Sequence, residues 1–110
     1  MKQFQASAVE RRITAQPGED FFSEPMEAGW AREAIFFLWI EEIGTGSFSV
    51  NVQLSPDGIN WIDDGAGIVI DSAGYYFLRA SHFGNWLRIR AGLSKINESV
   101  KLSVQLHLKD

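Results

Sequence analysis

The stretch Ser55-Pro56-Asp57-Gly58-Ile59-Asn60-Trp61 constrains the fold of this chain more than any other. Proline presets φ at the first turn position, aspartate suits the second, and Gly58 can take the left-handed conformation that closes a three-residue hairpin loop. Upstream of the turn, Phe48, Val50, Val52 and Leu54 alternate with Ser49, Asn51, Gln53 and Ser55, the period of a strand with one buried face. The turn therefore predicts an antiparallel hairpin whose register points Ile59 and Trp61 to one side and makes Trp61 a core residue. Pro56, Asp57, Gly58 and Trp61 are the structural residues of this reading.

The same period recurs along the chain. Val100, Leu102, Val104, Leu106 and Leu108 alternate with Lys101, Ser103, Gln105, His107 and Lys109 in the cleanest period-two pattern of the sequence. Trp86 to Arg90 places Leu87 and Ile89 on one face and Trp86, Arg88 and Arg90 on the other, where arginine stems can cover a ring. Ala34 to Ile40 is apolar at every position, which predicts a central strand covered on both faces. Ile68 to Ile70 reads as a short strand, and Asp71-Ser72-Ala73-Gly74 turns the chain into another from Tyr75 to Arg79. Pro25 and Gly29 break any helical period between Glu24 and Arg32. The count is about eight short strands, which predicts an all-β fold: a two-sheet antiparallel β-sandwich of jelly-roll type. Residues 1–16 read as an N-terminal arm or edge strand, and residues 17–110 as the sandwich domain.

Composition narrows the partners. A chain of 110 residues with 45% hydrophobic and 22% charged residues makes one ordinary globular domain. Eight Phe, four Trp and two Tyr are suited to pleated, half-buried surfaces. The net charge of -4 argues against direct nucleic-acid binding, which draws on concentrated Lys and Arg. The longest apolar run, Ala34 to Ile40, is too short to span a bilayer, and the N-terminus lacks the continuous apolar core of a signal peptide, so no membrane partner is expected. With no cysteine there is no disulfide framework, no thiolate nucleophile and no cysteine-bound metal.

Catalytic constellations are thin, and no enzyme, cofactor or metal site is expected. Only His82 and His107 could serve a hydrolytic triad; neither belongs to a convergent motif. Asp57, Asp63, Asp64 and Asp71 offer oxygen ligands, but their spacing matches no calcium loop and suits turns better. Glu41 and Glu42 are adjacent on a strand, so they face opposite ways and cannot flank one glycosidic bond unless a bulge intervenes. Trp30, Trp39, Trp61 and Trp86 with Tyr75 and Tyr76 suit a hydrophobic core better than a sugar-stacking platform. The run Tyr75-Tyr76-Phe77 must turn at least one ring away from the core, and such excess suits an interface. Arg11, Arg12, Tyr75, Tyr76, Phe77, His82 and Phe83 are the interface candidates.

Gly44-Thr45-Gly46, the segment Phe48-Ser49-Val50-Asn51-Val52-Gln53-Leu54-Ser55-Pro56-Asp57-Gly58-Ile59-Asn60-Trp61 and the later Gly84-Asn85-Trp86-Leu87-Arg88-Ile89-Arg90 together carry a resemblance. In this order they resemble the small β-sandwich structural proteins of tailed bacteriophages, and Ser7-Ala8-Val9-Glu10-Arg11 is similar to the opening of those proteins. The resemblance implies a virion component, either a capsid decoration or cement protein or a tail-associated subunit. It further implies a major capsid or tail protein as partner, a homo-oligomeric state, and a place in the virion after assembly in the host cytoplasm. The hairpin also resembles that of discoidin-type, galactose-binding-like jelly rolls, which implies the alternative of a carbohydrate-binding module for a cell-surface glycan. This chain is shorter than those domains and lacks their paired cysteines and their early Trp-rich strand.

Overall fold

Alternating residues become nine strands in the computed structural model, which describes residues 5–81, 83–94, 96 and 98–110. These are β1 (Gln5–Ala15), β2 (Phe21–Phe22), β3 (Met26–Glu27), β4 (Glu33–Glu42), β5 (Phe48–Ser55), β6 (Ile62–Ile70), β7 (Gly74–Ser81), β8 (Trp86–Ala91) and β9 (Val100–Lys109). The first sheet runs β1-β9-β4-β7 and the second β2-β8-β5-β6, with β3 also paired to β8; all pairings are antiparallel. Because β2 and β3 lie along the same partner, they are two halves of one interrupted strand. Counted so, eight strands take the jelly-roll order. The interruption has a local cause. Buried Ser23 donates its N–H to the Ile89 carbonyl at 3.0 Å, and its Oγ accepts the Ile89 N–H at 2.8 Å; Pro25, two residues on, has no N–H to give a ladder.

The core lies between the sheets. It takes Ala34, Phe36, Leu38 and Ile40 from β4, and Leu102, Val104, Leu106 and Leu108 from β9. Facing them are Val50 and Val52 of β5 and Leu87 and Ile89 of β8. Full burial of each larger side chain stabilises the fold by about 1.5–3 kcal/mol, so truncating Phe36 to alanine costs about 3–5 kcal/mol.

Several expectations are corrected. β4 is an inner strand of the first sheet but is covered on one face only, because among the described residues no layer lies outside that sheet. β6 is nine residues long rather than a short strand at its end. Its Asp-Gly segment, which reads as a turn, is a bulge in which residues 64–66 stand opposite Val52 alone and Gly65 takes φ 92°. β1, at the edge of the first sheet, lies along β9.

The hairpin differs most. Gly58 does take positive φ, at 77°, but the pairing Leu54↔Ile62 encloses a longer connection than a three-residue loop. Two side chains hold that connection. Ser55 Oγ accepts the N–H groups of Asp57 and Gly58 at 3.2 and 2.8 Å, and Asp57 Oδ1 accepts those of Ile59 and Asn60 at 2.9 and 2.8 Å. The extra residues turn Trp61 away from the core: it is half-buried on the outside of the second sheet, while Ile59 is 79% exposed.

Candidate interaction surface

The outward side of the first sheet is built by the odd-numbered residues of its strands. β4 contributes Ile35, Phe37 and Trp39, and edge strand β7 contributes Tyr75, Phe77 and Arg79; their even-numbered neighbours fill the core. Phe37 pairs directly with Phe77 and Trp39 with Tyr75, so four rings occupy adjacent sites on two strands. They remain 42% (Phe37), 38% (Trp39), 79% (Tyr75) and 50% (Phe77) exposed, which identifies a contiguous apolar patch rather than scattered surface residues.

The rings support one another. Trp39 and Tyr75 stack with centroids 5.6 Å apart and planes 14° apart. Phe37 meets the His107 ring edge-on at 5.2 Å, and the Arg79 guanidinium lies 5.0 Å from the Phe77 centroid. Toward β9 the face becomes polar: Gln105 stands opposite Phe37 and Ser103 opposite Trp39. The surface is suited to burying aromatic area at its centre with hydrogen bonds at its rim.

The outward side of the second sheet is built differently. The Arg88 guanidinium lies 4.3 Å from the Phe22 centroid and 4.1 Å from that of Trp61, so one cation joins two rings. Its Nε donates to Gln53 Oε1 at 2.8 Å, and Gln53 Nε2 donates to Asp63 Oδ1 at 2.9 Å. Burial lowers the Arg88 pKa by removing water from the cation. Arg90 Nε donates to Asp20 Oδ2 at 2.9 Å, in an ion pair of 2.7 Å between Nη2 and the same oxygen. The pattern of β8 suggests arginine stems over the Trp86 ring; the contacts seen are instead those of the Arg88 guanidinium with Trp61 and Phe22.

Of the interface candidates, Tyr75 and Phe77 face outward. Tyr76 is half-buried against the core, and its hydroxyl donates to the Ser72 carbonyl at 2.7 Å. Phe83 is half-buried and packs against the core. Arg11 and Arg12 both stand opposite Ser103 in a bulge of β1, and His82 lies outside the described residues. Phe37 joins the surface although the sequence reading did not single it out; its signal was the Ala34–Ile40 run, which has more apolar residues than one face can bury. The aspartates have separate places: Asp57 caps its turn, Asp63 holds Gln53 and Asp64 lies in the β6 bulge. Backbone N–H groups of Asn60 and Ile59, then the Asn60 amide, hold the Asp57 carboxyl well below the usual carboxylate range. A bulge does intervene at Glu41, and the neighbouring Glu42 forms an ion pair with Lys101 at 3.5 Å.

Comparison with known proteins follows the fold. The PBSX exported protein XepA superposes with a TM-score of 0.71 at 6% identity over 94% of this chain; the chain spans only 36% of XepA. The SPBc2 prophage-derived protein YomS gives 0.63 at 9% identity, covering 100% of this chain and 96% of its own. A protein of the Bacillus endospore appendages, a family of disulfide-linked pili, gives 0.63 at 13% identity, covering 96% and 87%. At these identities the likeness is one of fold, and it includes phage-derived proteins and a spore appendage protein. No curated protein matches by sequence. The match that defines kinship covers residues 36–109, from within β4 to the end of β9, and by it the chain belongs to the family described as Domain of unknown function (DUF6385).

Proposed function

We propose that this protein is a non-enzymatic structural subunit of a virion, assembled in the host cytoplasm, that docks on a capsid or tail protein through the outward face of its first sheet. The observation that carries the reading is the uncovered four-ring surface of Phe37, Trp39, Tyr75 and Phe77. A stable interface needs roughly 800 Å² per partner, with an apolar centre and a polar rim. The rings supply the centre, and Ser103, Gln105 and Arg79 supply the rim. The fold shared with phage-derived and appendage proteins supports this reading over a soluble catalyst.

The test sets two partners against each other. Purified particle proteins should bind the chain saturably and stoichiometrically, Trp39→Ser should abolish that binding, and a glycan array should stay silent. Reproducible glycan binding lost in Trp39→Ser, with no binding to particles, would overturn the structural role in favour of a carbohydrate-binding module.

A further inference from the structure

The sandwich has four sheet edges, and three carry features that discourage pairing with another chain. On the second sheet, β2 and β3 are two residues each and are separated by Ser23 and Pro25, while β6 is bent by the bulge at residues 64–66. On the first sheet, β1 is bulged where Arg11 and Arg12 fall. Short strands, prolines, bulges and positive charges are the means by which edges are kept single. β7 has none of these over most of its length. It pairs with β4 without a register shift from Gly74 to Ser81, contains no proline or lysine, and turns Tyr75 and Phe77 outward. Asp64 shares a hollow with Arg79, Ala80 and Ser81 at the far end of the strand, which leaves residues 74–78 as the open length.

We propose that β7 is a self-association edge: residues 74–78 of two copies pair antiparallel about a two-fold axis through Tyr76, joining the two first sheets into one. A second copy is the occupant because this edge complements itself. To keep both aromatic faces on one side, outward residues must stand opposite outward residues, and centring on Tyr76 places Tyr75 opposite Phe77 of the second copy and Phe77 opposite its Tyr75. Rows already fixed by β4 then run across the axis: Trp39 and Tyr75 continue into Phe77 and Phe37 of the second copy, and the reverse row mirrors it. Four rings become eight. This pairing goes beyond docking on a particle and does not depend on it, because Phe37 and Trp39 remain outward in the dimer.

The experiment uses the full chain. Sedimentation should show a dimer that dissociates on dilution, and Phe77→Lys should halve the mass while leaving the β-sheet circular dichroism unchanged. A wild-type chain that sediments as a monomer at every concentration would overturn the proposal. Register is read separately. The chain has no cysteine, so Tyr75→Cys and Phe77→Cys proteins carry one thiol each. Directly opposite residues have Cβ atoms about 4.5–5.5 Å apart, close to disulfide geometry. On oxidation, a mixture of the two variants should cross-link into heterodimers, and each alone should not. Equal cross-linking of Tyr75→Cys with itself would overturn the register, and a dimer that survives Phe77→Lys would overturn the edge. Loss of particle binding in Trp39→Ser with the dimer retained separates this result from the docking function.

Discussion

The two outward faces of the sandwich carry the same ingredients, aromatic rings and arginines, and arrange them to opposite ends. On the second sheet, Arg88 lies between Phe22 and Trp61 and is held by Gln53, so the cation and both rings already have partners. On the first sheet, Arg79 lies over one ring, that of Phe77, and Tyr75 stacks on Trp39 while staying 79% exposed. The difference is one of position. Arg88 comes from an inner strand with rings on either side, whereas Arg79 comes from the edge, where the next strand is missing. A face closed by its own residues contributes stability, and a face left open keeps its rings available for contact.

That contrast can be broken by exchanging the arginines for alanine. Arg88→Ala removes a cation shared by two rings and a charged hydrogen bond, and should cost about 2–3 kcal/mol in urea unfolding. Arg79→Ala should cost less than about 1 kcal/mol, as expected for one exposed cation–π contact. Equal losses would mean that the two faces do not differ in kind.

Gly58→Val tests the turn that sets Trp61 on the closed face. A Cβ at Gly58 would lie 3.3 Å from the Trp86 ring, in a backbone conformation that β-branched residues avoid. A loss of about 1–2 kcal/mol is expected, with the denaturant slope unchanged. An unshifted midpoint would show that the hairpin tolerates another path, and that Trp61 need not face Arg88.

A smaller effect is expected from acid. The Asp57 carboxyl has its folded pKa below its unfolded one, so its contribution is complete above the ordinary aspartate range and is lost as pH falls below about 4 toward the folded value. Asp57→Asn keeps an acceptor oxygen for the turn and should flatten this part of the stability–pH curve. Retention of the full slope in Asp57→Asn would assign it to other carboxylates.

The smallest change in stability belongs to the open face. Tyr75→Ser should leave the unfolding midpoint within about 0.5 kcal/mol of wild type, the usual range for exposed sites, while weakening association. A loss as large as that of Arg88→Ala would show that the open face is structural after all.

Where side chains alternate, the fold could be read directly. The Val100 to Lys109 pattern becomes β9 with every expected residue inward, and the strand count leads to the jelly roll once β2 and β3 are taken together. The misreadings share a cause: periodicity reports which residues share a side, but not whether a layer covers that side. Ala34 to Ile40 was apolar enough for two covers and received one. The shortest loop would turn Trp61 inward, whereas the caps from Ser55 and Asp57 hold a longer one. Phe22 under Arg88 was beyond reach of pattern, because the contact joins residues far apart in the chain.

The pairing of β1 with β9 has a consequence in time. Gln5 stands opposite Lys109, so nearly the whole domain must be synthesised before the first strand meets its neighbour. Until then β1 travels without a partner, and β4 has only β7 beside it, while the second sheet can already zip up from β2 to β8. Long-range closure of this kind makes β-sandwiches slow to fold and leaves strand edges open to other nascent chains on the same polysome. The order of synthesis therefore favours a second sheet that matures early and a first sheet that closes last.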